Sequence, residues 1–247
     1  MYEKAKYLPA GDRGIVVELG NAISPQINER VRGFLLVLED AHLDGIVSVN
    51  TTYRSLLIEY DPLRLPYRKL LEKLQELESR LYSTKLPPAR VLEVPTLYGG
   101  EFGPDLDFVA QHAGLSKEEV IRIHHSTEYL IYMLGFTPGF SYLGGMDPAI
   151  ETPRLKTPRS KIPGGSVGIA GKQTGIYSID SPGGWQLIGR TPIRLYDPDR
   201  QPPILHQTGD YIRFVPITRE EYDAIEEAVR KGTYEYRLTP RKGEKGK

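Results

Sequence analysis

Cysteine is absent from the chain. That excludes disulfides, thiolate nucleophiles and Cys-ligated zinc, and it suits a cytoplasmic protein. Any apolar run of about 18 residues is also missing, so no membrane-crossing helix is expected. The opening MYEKAKYLPAGDRG has no apolar core of the signal-peptide kind. Neither sign of charge is in excess: 32 Lys plus Arg balance 32 Asp plus Glu. No global field therefore draws the protein to nucleic acid or to a membrane surface. There is no G-x-x-x-x-G-K-[ST] phosphate loop and no dinucleotide fingerprint, so ATP is not expected to be held in either of those ways. His124 and His125 are adjacent and cannot both face one metal from one helix, so no metal site is expected.

Glycine is plentiful, and 12 of the 25 glycines lie between Gly135 and Gly189. Six prolines accompany them, from Pro138 to Pro182. Linkers of such composition lack apolar content. Here Phe136, Phe140, Tyr142, Val167, Ile169, Ile176, Tyr177, Trp185 and Ile188 are interleaved. The mixture predicts an ordered surface in which glycine lets backbone approach something closely and proline fixes the loops. No Asp or Glu falls between Glu151 and Asp180, whereas Arg154, Lys156, Arg159, Lys161 and Lys172 do. Close backbone N–H groups with charge of one sign predict an anion site, for a carboxylate or a phosphate. Gly164-x-Ser166-x-Gly168 has the letters of a nucleophile elbow. The residues after it read as a strand rather than a helix, which argues against a hydrolase nucleophile.

The length allows one large domain or two small ones. Gly14–Gly20 reads as a strand, and Ser24-Pro25 opens a helix with Ser as N-cap and Pro in the first turn. Ile27, Val31, Leu35 and Leu38 form its apolar stripe. Ile46–Val49 and Ser55–Tyr60 read as paired strands, and Leu70, Leu71, Leu74 and Leu77 as the inward face of a second helix. This order is most of a ferredoxin-like sandwich. The polar, proline-bearing STKLPPAR at 83–90 marks the boundary, giving domains 1–84 and 85–239 and a basic disordered tail 240–247. In the second domain Ser116-Lys-Glu-Glu119 and Thr218-Arg-Glu-Glu221 read as capping boxes. The first opens a helix that delivers His124 and His125 at its C-terminal end. Short strand candidates at 129–134, 166–170, 175–179, 186–189, 193–196 and 211–216, divided by Gly and Pro turns, predict a closed barrel or sandwich.

At GFTPGFSYLGGMD, PRSKIPGGSVGIAGKQTGIYSIDSPGGWQLIGRTP, GDYIRFVPI, GDRGIVVELG and VPTLYGGEFGPDL the chain resembles the allophanate hydrolase subunit 1 family over nearly its whole length. That group includes the B component of 5-oxoprolinase and a sporulation kinase inhibitor. The resemblance implies an α+β protein, with an N-terminal ferredoxin-like α/β sandwich and a C-terminal cyclophilin-like β-barrel. It implies a component that works with 5-oxoprolinase subunits A and C to open 5-oxoproline to glutamate. In that complex ATP and Mg belong to a partner protein, and no cofactor sits in this chain. The alternative that the resemblance carries is an inhibitor bound to a sensor histidine kinase. A prolyl isomerase, by analogy with the barrel, is the weakest reading because barrel shape does not carry the activity.

The family's positions fall on His124, on Gly135–Leu143 with Gly139 and Phe140 lining the loop, on Pro158–Val167, on Gln173, and on Ser181–Trp185 followed by Arg190. Ile162 and Gly164 depart from the usual Val and Ala. The acid-free basic stretch and the glycine density place the expected lactam carboxylate on Arg159 or Lys161 and on the backbone at Gly164, Gly165 and Ser166. Gln173 would bond the lactam amide, Trp185 would cover the ring, and Arg190 would lie beside them. His124 would serve as general base or proton shuttle, worth on the order of 10²–10⁴ in rate.

Overall fold

The computed structural model describes residues 1–241, with the backbone only at Tyr82. The chain divides into two compact units, Met1–Pro87 and the part from Pro88 onward. No helix among the described residues is long and apolar enough to cross a membrane.

In the first unit β1 (Lys6–Pro9), β2 (Gly14–Glu18), β3 (Ile46–Thr51) and β4 (Ser55–Tyr60) form an antiparallel sheet in the order β1-β2-β4-β3. Helices α1 (Pro25–Asp40) and α2 (Tyr67–Arg80) carry the apolar stripes that pack with it. Ser24 caps α1 by accepting from the Ile27 N–H at 3.2 Å. Ile27, Val31, Phe34, Val37 and Leu38 of α1 and Leu70, Leu74 and Leu77 of α2 are buried, each such side chain stabilising the unit by roughly 1.5–3 kcal/mol. The strand–helix–strand–strand–helix order holds for β2 to α2. The ferredoxin-like completion differs, because the edge beside β2 is filled by β1, from the start of the chain. β1 is mostly exposed, so it has no alternating pattern to betray it.

The second unit begins with β5 (Arg90–Tyr98), which pairs in parallel with β13 (Tyr211–Pro216). Around them run β6 (Glu128–Leu134), β7 (Ser141–Gly144), β9 (Ser166–Ala170), β10 (Gln173–Ile176) and β12 (Gln186–Arg190), in the order β10-β9-β12-β5-β13-β6-β7. β7 returns beside β10, so the sheet closes nearly into a barrel. β14 (Leu238–Pro240) adds to β5, and β8 (Arg159–Ile162) with β11 (Ser181–Gly183) makes a separate ribbon. Helices α3 (Leu106–Ala113), α4 (Lys117–His125) and α5 (Arg219–Arg230) complete the unit.

Successive strand residues face opposite sides of the sheet. Along β9, Val167 and Ile169 enter a large cluster with Leu92, Val94, Tyr129, Ile131, Ile212 and Phe214. Ala170 joins a smaller cluster with Phe140, Ile162, Tyr177, Trp185 and Leu187. Three expectations change. Residues 193–196 form no strand beyond an isolated Tyr196–Ile204 bridge, although Ile193 and Leu195 are buried as alternation demands. At α4 only the Ser116 half of the capping box forms, since Glu119 turns to Arg122; Thr218 and Glu221 of α5 form the full box. The first two residues of the expected tail are ordered, because Pro240 lies in β14 and Arg241 donates to Glu128 at 2.9 Å. Its remainder, 242–247, lies outside the described residues.

Candidate functional site

His124 is fully buried. Its Nδ1 lies 2.8 Å from the Tyr98 hydroxyl and its Nε2 lies 2.7 Å from Thr174 Oγ1. Thr174 donates its only hydroxyl hydrogen to the Gly168 carbonyl at 3.0 Å. Nε2 must then carry the proton, and Nδ1 accepts from Tyr98. The ring packs 4.4 Å from Phe214 and 5.6 Å from Tyr129. Burial, with His125 adding a little, holds its pKa down at about 3. A neutral imidazole with both nitrogens engaged in the core is a poor general base, so the role expected for His124 is corrected to a structural one.

The sheet also separates His124 from Trp185. On β10, Thr174 reaches His124, while the next residue, Gly175, faces the indole, where a Cβ would sit 3.1 Å from the ring. Gly168, paired with Gly175, is equally close to Trp185, where a Cβ would stand 3.2 Å from the Trp185 Cβ. The indole thus lies against Gly175 and is edged by Phe140 and Tyr177, while Gly168 makes room for the Trp185 Cβ. Its glycine neighbours are required by its own packing.

Three of the five cations in the basic stretch are paired. Arg159 pairs with Asp105 at 2.8 Å and donates to the Trp185 carbonyl at 3.2 Å. Lys161 pairs with Asp180 at 2.8 Å, which together with the Gly164 N–H holds the Asp180 carboxyl below its usual range. Lys172 stands 3.9 Å from Glu151. The backbone donors are spent as well. Gly164 N–H goes to Asp180, Gly165 N–H to the Tyr177 carbonyl and Ser166 N–H to the Pro163 carbonyl. Gly165 has φ +83°, and a Cβ there would meet the Thr191 carbonyl at 2.4 Å. The expected backbone anion cradle is therefore corrected: the glycines let the chain approach itself. Gln173 begins β10 at the hairpin opposite Ala170, and the residue is not without a partner. Gly139, at φ +75°, fits against Tyr196, and Phe140 lies in the smaller cluster.

Two of the expected residues retain capacity. Ser166 Oγ and Arg190 Nε are buried without a hydrogen-bond partner. Their chain neighbours Gly165 and Thr191 line a cavity of about 690 Å³, whose wall also includes Gly164, Pro192 and Tyr222. Asp180, Asp197, Asp223, Glu226 and Glu227 lie on the same wall, against Arg194 and Arg230. Most of these acids are paired, Asp223 with Arg219 and Glu227 with Arg230 among them. No group of three or more His, Asp or Glu that could hold a metal is gathered among the described residues.

Asp105 is a residue that pattern reading does not single out. Its carboxylate accepts from Arg159 at 2.8 Å and from the Leu187 N–H at 2.6 Å, and its own N–H returns to the Leu187 carbonyl. One side chain thus clamps three segments around Trp185. Asp105→Asn keeps the shape but removes the charge that Arg159 needs. It should lower stability by about 1.5–3 kcal/mol and shift the emission of the single tryptophan. A thermal melt with fluorescence checks this; an unchanged midpoint and an unchanged spectrum contradict it.

The profile of the carboxyltransferase domain, subdomains C and D, matches residues 5–206. The B component of 5-oxoprolinase from Bacillus subtilis is 41% identical over 227 residues, spanning 88% of this chain and 95% of that protein. The crystal structure of a conserved uncharacterized protein from Pyrococcus horikoshii is 47% identical, with TM-score 0.52, over 88% of this chain and all of that one. The Kluyveromyces lactis urea carboxylase is 25% identical, with TM-score 0.77, over 96% of this chain but 24% of its own. The match covers most of the chain and agrees with the motifs of the allophanate hydrolase subunit 1 type, so the protein belongs to the carboxyltransferase domain family, subdomains C and D.

Proposed function

We propose that this chain is the B component of an ATP-dependent 5-oxoprolinase complex. With subunits A and C it opens 5-oxo-L-proline to L-glutamate: the lactam C–N bond breaks and water supplies the oxygen of the new carboxylate. The observation that carries this reading is the near end-to-end match to the B component of the Bacillus subtilis 5-oxoprolinase. The second unit's geometry adds to it. Its cavity has room for a small acid, and a buried arginine Nε–H and a buried hydroxyl, on residues next in the chain to two that line it, have no hydrogen-bond partner. The chain's own part is to bind and orient the acid, and a partner protein supplies the ATP chemistry and the base. Arg159 and Lys161 support the walls through their ion pairs.

Purified components should be combined and glutamate formation from 5-oxoproline and ATP measured, omitting one at a time. Omission of this chain should abolish turnover. A full set that makes no glutamate, or A and C that make it equally fast without this chain, overturns the proposal.

A further inference from the structure

Among the described residues of the second unit, three buried side-chain polar atoms lack a hydrogen-bond partner: Ser166 Oγ, Arg190 Nε and His206 Nδ1. Two of them belong together. Arg190 and Ser166 are directly paired across β12 and β9, so their side chains leave the same face, with Cβ atoms about 4.5–5.5 Å apart. A bulge between Leu187 and Gly189 makes this pairing. Without the extra residue Ser166 would face Gly189. Gly189 fits the bulge because a Cβ there would press the Leu97 carbonyl at 2.8 Å. Bulges commonly re-aim a side chain beside a functional site.

Arg190 forms no ion pair within 4.0 Å among the described residues, and its guanidinium carbon lies 5.2 Å from the Phe102 ring. The titratable groups near it are the Asp180 carboxylate, already held by Lys161 and Gly164, and the neutral Tyr222 hydroxyl, whose own neighbours include Asp223, Glu226 and Arg219. A buried donor without an acceptor costs about 1–3 kcal/mol, and more when charged. Two adjacent donors, an N–H of fixed direction and a rotatable O–H, are satisfied together by one group with two acceptor oxygens. Gly165 and Thr191, their chain neighbours, line the cavity.

We propose that Ser166 and Arg190 anchor the carboxylate of the small acid this protein binds. Identifying that acid as 5-oxoproline rests on the proposed function; the anchor itself does not. The first test uses the full chain alone, with acetate and inorganic phosphate as probes and the Arg190 Nε–H NMR signal as readout. Saturable displacement of that signal by either anion, reduced in Ser166→Ala, supports the anchor. A signal unmoved by both overturns it, whatever the complex does. In the assembled complex, Arg190→Gln should raise KM for 5-oxoproline about 10- to 100-fold, with kcat changing less and Arg190→Lys falling between. Should Arg190→Gln not fold, Ser166→Ala decides the point, since it removes a single atom. An unchanged KM in a folded variant overturns the anchor while leaving the assignment to the complex intact.

Discussion

Replacing His124 by alanine should lower the unfolding free energy by about 3–5 kcal/mol, near the top of the range for single substitutions. Two costs combine. The imidazole fills space against Phe214 and Tyr129, so its loss leaves a cavity. The Tyr98 hydroxyl, which donates to Nδ1, is then buried without an acceptor. Thr174 loses only a donor, because its own hydrogen already goes to Gly168. Denaturant unfolding of purified wild-type and variant chains measures this. A loss below about 1 kcal/mol would show that the ring is dispensable to the core.

The same burial predicts a steep acid response. His124 and His206 have pKa values held down at about 3 and about 4, in both cases first by burial. Both stay neutral in the folded protein well below the unfolded value of about 6.5. Above that value neither state binds the proton, and stability does not change with pH on their account. Below it the unfolded chain takes up protons that the folded chain refuses, so stability falls by about 1.4 kcal/mol per pH unit for each histidine. Together they should make the protein about 4 kcal/mol less stable at pH 5 than at pH 7, before the carboxylates titrate. Urea melts across that interval test the slope, which should halve in His124→Gln. A flat profile, or a His124→Gln slope as steep as wild type, contradicts the assignment of neutral buried rings.

Where a structural signal is local, it can be read from the residues. Ser24, Ser116 and Thr218 announce their helices because an N-cap acts within three residues. The strands after Gly165 show in branched residues between glycines. β1, β8, β11 and β14 escape such reading because each is short and partly exposed, and is held by a partner strand rather than by its own pattern. The site is harder for the same reason. A window free of acids from Glu151 to Asp180 looks like an anion trap. Asp105, 54 residues before Arg159, pairs with it, Asp180 pairs with Lys161, and Glu151 stands 3.9 Å from Lys172. The glycines do signal close approach, but of the chain to itself, with Gly165 against Thr191 and Gly168 against Trp185. The sequence around His124 shows that a histidine ends the helix but not that it turns inward. Ser166 and Arg190 are among the expected residues, and only the β12 bulge shows that they stand opposite each other.

A crystal structure of the assembled complex with 5-oxoproline bound tests the central claim most directly. The account predicts the ligand carboxylate within hydrogen-bond distance of Arg190 Nε and Ser166 Oγ, with His124 still enclosed between Tyr98 and Thr174. A ligand held elsewhere, with those two side chains satisfied by each other or by solvent, would contradict it.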